Sequence, residues 1–166
     1  MLRGLHGCVS LDIYGPIEDA GYWQECQDAI RALRSNVAVE YRGVLAHSEV
    51  GRVFREHDLF LFPTLGENFG HVILEALTAG CPVLISDRTP WRNLKQMEVG
   101  WDIPLEQPAL FERALAECVE MGDAAHRHMS VRAESYARAR MEDQMVIEQN
   151  RSLLRAVMTR SVGPTP

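Results

Sequence analysis

The chain has 166 residues, of which 46% are hydrophobic and 24% charged, a one-domain length with apolar material for one core. That is too little for two domains of about 150 residues each, and the net charge of -6, with Lys and Arg scattered among acids, gives no reason to expect a nucleic-acid partner. Cys8, Cys26, Cys81 and Cys118 lack close spacing and paired His, so free thiols are expected rather than a zinc or redox motif. No stretch reaches the roughly 20 apolar residues of a membrane span and no signal-peptide pattern opens the chain, so a soluble cytoplasmic protein is expected.

Short apolar runs alternate with longer amphipathic ones. Val9 to Tyr14 reads as a strand ending at Gly15-Pro16. Glu18 to Arg34 carries Tyr22, Cys26, Ala29, Ile30 and Leu33 at helical spacing. Val37 to Tyr41 alternates as a strand before Gly43, and His47 to Glu56 is a short helix with Val50, Val53 and Phe54 on one face. Asp58 to Phe62 is a continuous apolar strand stopped by Pro63, Gly70 to Ala79 a helix closed by Gly80, and Pro82 to Ser86 a buried strand. Val99 to Ile103 is a weaker strand. From Glu106 the chain reads as helical, through Met121, then about Ala124 to Arg140, then about Glu142 to Thr159. Arg127, Arg132, Arg138 and Arg140 read as a solvated helix face.

This alternation predicts an α/β fold, a doubly wound, Rossmann-like, mostly parallel sheet of about five strands flanked by helices, with a helical part over 106–160. Ligands of such sheets bind beyond the carboxyl ends of the strands. The loops that follow the strands are therefore where chemistry is to be sought.

One of these loops, Pro63-Thr64-Leu65-Gly66-Glu67-Asn68-Phe69-Gly70-His71, leaves a buried strand and enters a helix. Asn68 is the expected N-cap, and Gly70 allows close backbone approach. A helix N-terminus beside glycine suits a diphosphate, although the same glycines also serve simply to relieve crowding in a tight loop. Glu75 stands in the middle of the otherwise apolar Gly70–Gly80 segment, and a buried carboxylate needs a partner. A structural salt bridge is one way to supply it. A ribose is another, since Glu75 lies about 8–10 Å along the axis from the helix start, and acidic side chains accept well from ribose hydroxyls. Trp91 and Trp101 read as core, His71 as a helix-start histidine that either packs or caps the site, and Asp87-Arg88 as a solvated loop.

Glu67 and Glu75, eight positions apart around Asn-Phe-Gly, resemble the two-glutamate signature of retaining glycosyltransferases of the GT-B fold. Tyr41-Arg42-Gly43, His57 to Thr64, Glu75 to Ser86 and Gly100-Trp101 resemble the same family, so the likeness covers about residues 8 to 105. The resemblance implies transfer of a hexosyl group from a nucleoside-diphosphate sugar with retention of configuration, with no metal or other cofactor. It implies that Glu67 faces the donor sugar and that the amides of Phe69, Gly70 and His71, with Asn68 beside them, meet sugar and phosphate. Glu75 would hold the ribose, and the base would lie against Gly43, Val44 and Leu45.

Two parts of the family pattern have no counterpart. The acceptor-binding domain is absent, as is the first strand–helix unit of the donor domain with its Arg and Lys, and Arg3 is misplaced to substitute. Residues 1–166 are thus expected to form a single donor-binding domain, a fragment inactive alone or a subunit of a two-chain transferase. A non-catalytic nucleotide- or phosphate-binding module is the alternative. Without the missing strand, the sheet either closes in the order 2-1-3-4-5 or stays open and invites a partner strand or dimerisation.

Overall fold

The computed structural model describes residues 2–143. In chain order the elements are β1 (Val9–Tyr14), α1 (Ala20–Arg31), β2 (Val37–Gly43), α2 (His47–Arg55), β3 (Phe60–Phe62), α3 (His71–Thr78), β4 (Val83–Ser86), β5 (Gly100–Ile103), α4 (Pro108–Glu120) and α5 (Asp123–Glu142). The expected helix over Glu142 to Thr159 falls almost wholly outside the described residues.

Local chemistry sets several boundaries. Asp19 caps α1 by accepting from Tyr22 N at 3.0 Å. Proline opens α4 at Pro108, where its missing N–H costs nothing. All paired strands run parallel: Val9 opposite Val37, Phe60 opposite Val83, and Val83 opposite Gly100. Parallel pairing matches the composition of β4, whose four residues are all buried and which is covered by helices on both faces.

Two apolar clusters flank β3–β4–β5. On one face Ile73, Ala76 and Leu77 of α3 meet Ala133 and Ala137 of α5, with Val83, Ile85 and Trp91 between them. The small α5 residues let that helix approach closely, and Ser130 Oγ donates to Gly80 O at 2.6 Å. On the other face Phe111, Ala114 and Leu115 of α4 pack with Leu5, Leu84, Trp101 and Ile103. Burying side chains such as Phe111 or Ile73 contributes about 1.5–3 kcal/mol each. Both tryptophans expected in the core are there, Trp91 at 5% and Trp101 at 3% exposure.

The sheet does not close. Strands β1 and β2 form one two-stranded sheet, and β3, β4 and β5 form a second. Of the two arrangements expected, the order 2-1-3-4-5 is not formed and the gap stays open. Helix size gives a reason: each helix is about 10 Å across, covering roughly two strand spacings of about 4.8 Å. Helices packed on the sheets therefore set the spacing of the strands beneath them.

Gly100 is fixed by the tight start of β5. Its φ is 147°, and a Cβ there would stand 1.9 Å from Val83 O. Gly100→Ala is expected to destabilise the fold by about 3 kcal/mol, read as a lower urea midpoint at unchanged slope.

Candidate functional site

The loop joining β3 to α3 is fastened by polar contacts along its length. Thr64 Oγ1 donates to Gly66 O at 2.9 Å and accepts from Gly66 N at 3.2 Å. Ser86 Oγ, at the end of β4, donates to Thr64 O at 2.5 Å. Glu67 N donates to Arg88 O at 3.0 Å. Trp91 Nε1 donates to Phe69 O at 2.8 Å. The loop therefore rests on the segment after β4, through Ser86, the Arg88 backbone and Trp91.

Glu67 closes the loop on itself. Its Oε1 accepts from Phe69 N at 3.2 Å and from Gly70 N at 3.1 Å. These bonds, that from Phe69 first, hold the Glu67 carboxyl below the usual carboxylate range. One expectation is corrected here. Asn68 is not the N-cap: Gly70 takes that position with no side-chain cap, and the Glu67 carboxylate bonds the two amides just before the helix. The amides of Phe69 and Gly70, expected to meet sugar and phosphate, donate to Glu67 in this structure. The first N–H groups of α3, on His71 and Val72, precede the first helical bonds, which run from Ile73 N and Leu74 N to Gly70 O.

Gly70 is where the helix turns. Its φ of 78° and ψ of 52° are left-handed, and a Cβ would stand 2.8 Å from Trp91 Nε1 and 2.9 Å from Ile73 Cδ1.

Glu75 is less buried than its apolar neighbours imply. Its side chain is 35% exposed, and Oε1 lies 3.7 Å from His47 Nδ1 at the start of α2. Sequence reasoning missed His47, which no motif marked. His71 is exposed, with its ring tilted on Phe69 at 4.3 Å between centroids. His71 and Glu75, four residues apart, share a helix face, and Val72, three before Glu75, lines a cavity with Val44, Leu45 and Pro63. The structure thus brings the Gly43–Leu45 loop, with Gly43 at φ 76°, to the same end of the sheets as α3.

Around this site the remaining expectations divide. Arg88 is solvated and paired with Glu106, but the Arg88 backbone carbonyl holds Glu67. Arg140 is more than a solvated charge, since its guanidinium lies 5.5 Å from the Trp91 ring centroid. The cysteines are free, and burial pushes the Cys81 thiol up to about 12 and the Cys118 thiol to about 11. No helix among the described residues is long and apolar enough to cross a membrane.

The depressed Glu67 carboxyl makes a pH prediction. A group whose folded-state pKa lies below its unfolded value stabilises the fold above the unfolded value, and that contribution is lost as pH falls through the folded value. The Phe69 and Gly70 amide signals are therefore expected to titrate together, at a pH below the ordinary carboxylate range. Glu67→Gln should abolish that titration, as monitored by nitrogen–proton correlation spectra. Trp91→Phe, which removes the bond to Phe69 O, should cost about 1 kcal/mol in chemical denaturation.

Comparison with known proteins fits this geometry. The family model described as glycosyl transferases group 1 matches residues 4–121. A phosphatidyl-myo-inositol mannosyltransferase of Mycobacterium tuberculosis is 34% identical over 94 residues, 54% of this chain and 25% of that protein. A protein named 3-dehydroquinate synthase, from Bordetella pertussis, is 38% identical over 80 residues, 45% of this chain and 22% of that protein. Among solved structures, WaaG, a glycosyltransferase involved in lipopolysaccharide biosynthesis, shares the fold with a TM-score of 0.56 at 19% identity, over 79% of this chain and 42% of that chain. The chain spans about a quarter of the length of these curated relatives. With the family match covering most of its length, the chain belongs to the group 1 glycosyltransferases.

Proposed function

We propose that this chain is the donor-binding domain of a glycosyltransferase that moves a hexosyl group from a nucleoside-diphosphate sugar with retention of configuration. The observation that carries the reading is the start of α3. There the His71 and Val72 amides face outward at a positive helix end, Glu67 is fastened just before them, and Glu75 shares their helical face. The similarity to a protein named as a mannosyltransferase supports a hexosyl donor.

In this reading the distal phosphate meets the His71 and Val72 amides, and Glu75 accepts from the ribose hydroxyls beside His47. The base lies against Gly43, Val44 and Leu45. Both backbone bonds to Glu67 converge on Oε1, so Oε2 is the oxygen left to meet the sugar hydroxyls. Catalysis is electrostatic: charge developing on the leaving diphosphate meets fixed N–H dipoles already aimed at it. No metal or other cofactor is assigned a part. The acceptor-binding surface is assigned to another domain or chain, so residues 1–166 bind donor without transferring sugar.

Calorimetric titration with UDP, GDP, ADP and their sugars tests this. One nucleotide should bind, and Glu75→Ala should weaken it at least tenfold, about 1.4 kcal/mol. Binding that ignores both Glu67→Ala and Glu75→Ala would shift the reading to a non-catalytic nucleotide- or phosphate-binding module.

A further inference from the structure

The meeting of His47 with Glu75 follows from how α2 is fastened. On α2, His47, Val50 and Phe54 fall at i, i+3 and i+7 and so share one stripe. Phe54 meets the Phe60 ring at 5.0 Å between centroids and packs, with Val72 of α3, against the core that α3 and α5 share. Anchoring the stripe at Phe54 carries its first residue, His47, over α3 at Glu75. The same helix start lies two residues beyond Leu45, which lines a cavity with Val44, Val50 and Val72. His47 thus stands between the surface given above to the base and the carboxylate given to the ribose.

The contact is a donor beside an acceptor, not a closed bond. His47 Nδ1 lies 3.7 Å from Glu75 Oε1, beyond hydrogen-bond length. The imidazole is 90% exposed and the Glu75 side chain 35%, so the pair itself adds little to stability. Other polar neighbours along α3 are engaged elsewhere: Thr78 Oγ1 donates to Leu74 O at 2.7 Å, and the His71 ring lies on Phe69. A hydroxyl suits such a pair, since it donates one hydrogen and accepts through two lone pairs. Its O–H reaches the carboxylate while its oxygen accepts from Nδ1 of the imidazole. A phosphate is repelled by the carboxylate, and a cation has no use for the N–H.

We propose that His47 is a specificity-determining residue for the donor. Its Nδ1 donates to a ribose hydroxyl whose own hydrogen Glu75 accepts, so that the site selects a ribonucleotide over its deoxy form. The inference rests on the donor reading and adds to it a residue outside the two-glutamate pattern. A site that hydrogen-bonds a hydroxyl rejects the analogue lacking it, because its own polar groups are then left unpaired. That rejection is steepest where water is excluded. Water reaches His47 freely, so a preference of about tenfold is expected rather than the far larger one of a sealed pocket.

The test is calorimetric titration of the 166-residue chain with UDP, GDP and ADP, then with the 2′-deoxy and 3′-deoxy forms of the one that binds. One deoxy form should bind about tenfold more weakly than its parent. His47→Ala should cut that ratio to roughly threefold or less by weakening the parent, with the deoxy form unchanged. His47→Asn, whose amide places an N–H near the Nδ1 position, should restore the ratio. Because His47 is exposed at a helix start, neither substitution disturbs the core. Binding that Glu75→Ala weakens, with a ratio that His47→Ala leaves intact, would overturn this inference and keep the donor reading. Indifference of the wild-type chain to both deoxy forms would overturn it too. So would equal weakening of parent and deoxy form by His47→Ala, or failure of His47→Asn to restore the ratio. If no diphosphate binds, or Glu75→Ala has no effect, the donor reading falls and this inference falls with it.

Discussion

Gly70 stands at the point on which the site's geometry depends. Its left-handed backbone turns the chain from the loop into α3 directly beneath the Trp91 indole, with no room for a Cβ. That turn sets the direction of the helix, places the Phe69 carbonyl under Trp91 Nε1, and brings the Phe69 and Gly70 amides onto Glu67. The site is therefore held by backbone geometry and by a carboxylate bonded to the two amides that precede the helix. Trp91 in turn is anchored in the core that α3 and α5 share, so packing and site rest on the same ring.

This arrangement gives Glu67 two duties. In the ligand-free chain it satisfies N–H groups that an anion would otherwise attract. In the proposed complex its second oxygen meets the sugar, while the neighbouring His71 and Val72 amides take the phosphate. A residue that organises a loop and also faces a ligand ties the conformation of the site to its charge state. The depressed Glu67 carboxyl reflects the bonds within the loop, that from Phe69 first and then that from Gly70.

Much of the architecture was legible because parallel strands buried on both faces announce themselves as apolar runs, as Val83-Leu84-Ile85 does. The loop between β3 and α3 was legible for a similar reason: glycines and polar residues interrupt two apolar segments at a strand-to-helix junction. Other features were not. Asn68 is a better capping residue by type than Glu67, yet the left-handed turn at Gly70 shifts the helix start and puts the Glu67 carboxylate in reach. An all-apolar helix suggested full burial for Glu75, but only one side of α3 packs into the core, and Glu75 emerges beside His47. No spacing rule links His47 to Glu75, because their contact exists only after two helices meet. Whether β1 closes on β3 was equally illegible, since the answer lies in how far the covering helices hold two backbones apart.

The central claim, that the start of α3 and the Gly43–Leu45 loop form one nucleotide-sugar site, is tested most directly by mapping amide shifts during titration with a nucleoside diphosphate. The account predicts concerted, saturable shifts at Val44, Leu45, His71, Val72 and Glu75, with smaller ones at Phe69 and Gly70 as Glu67 adjusts. Shifts confined to other surfaces, or to the two ends of this constellation independently, would contradict it.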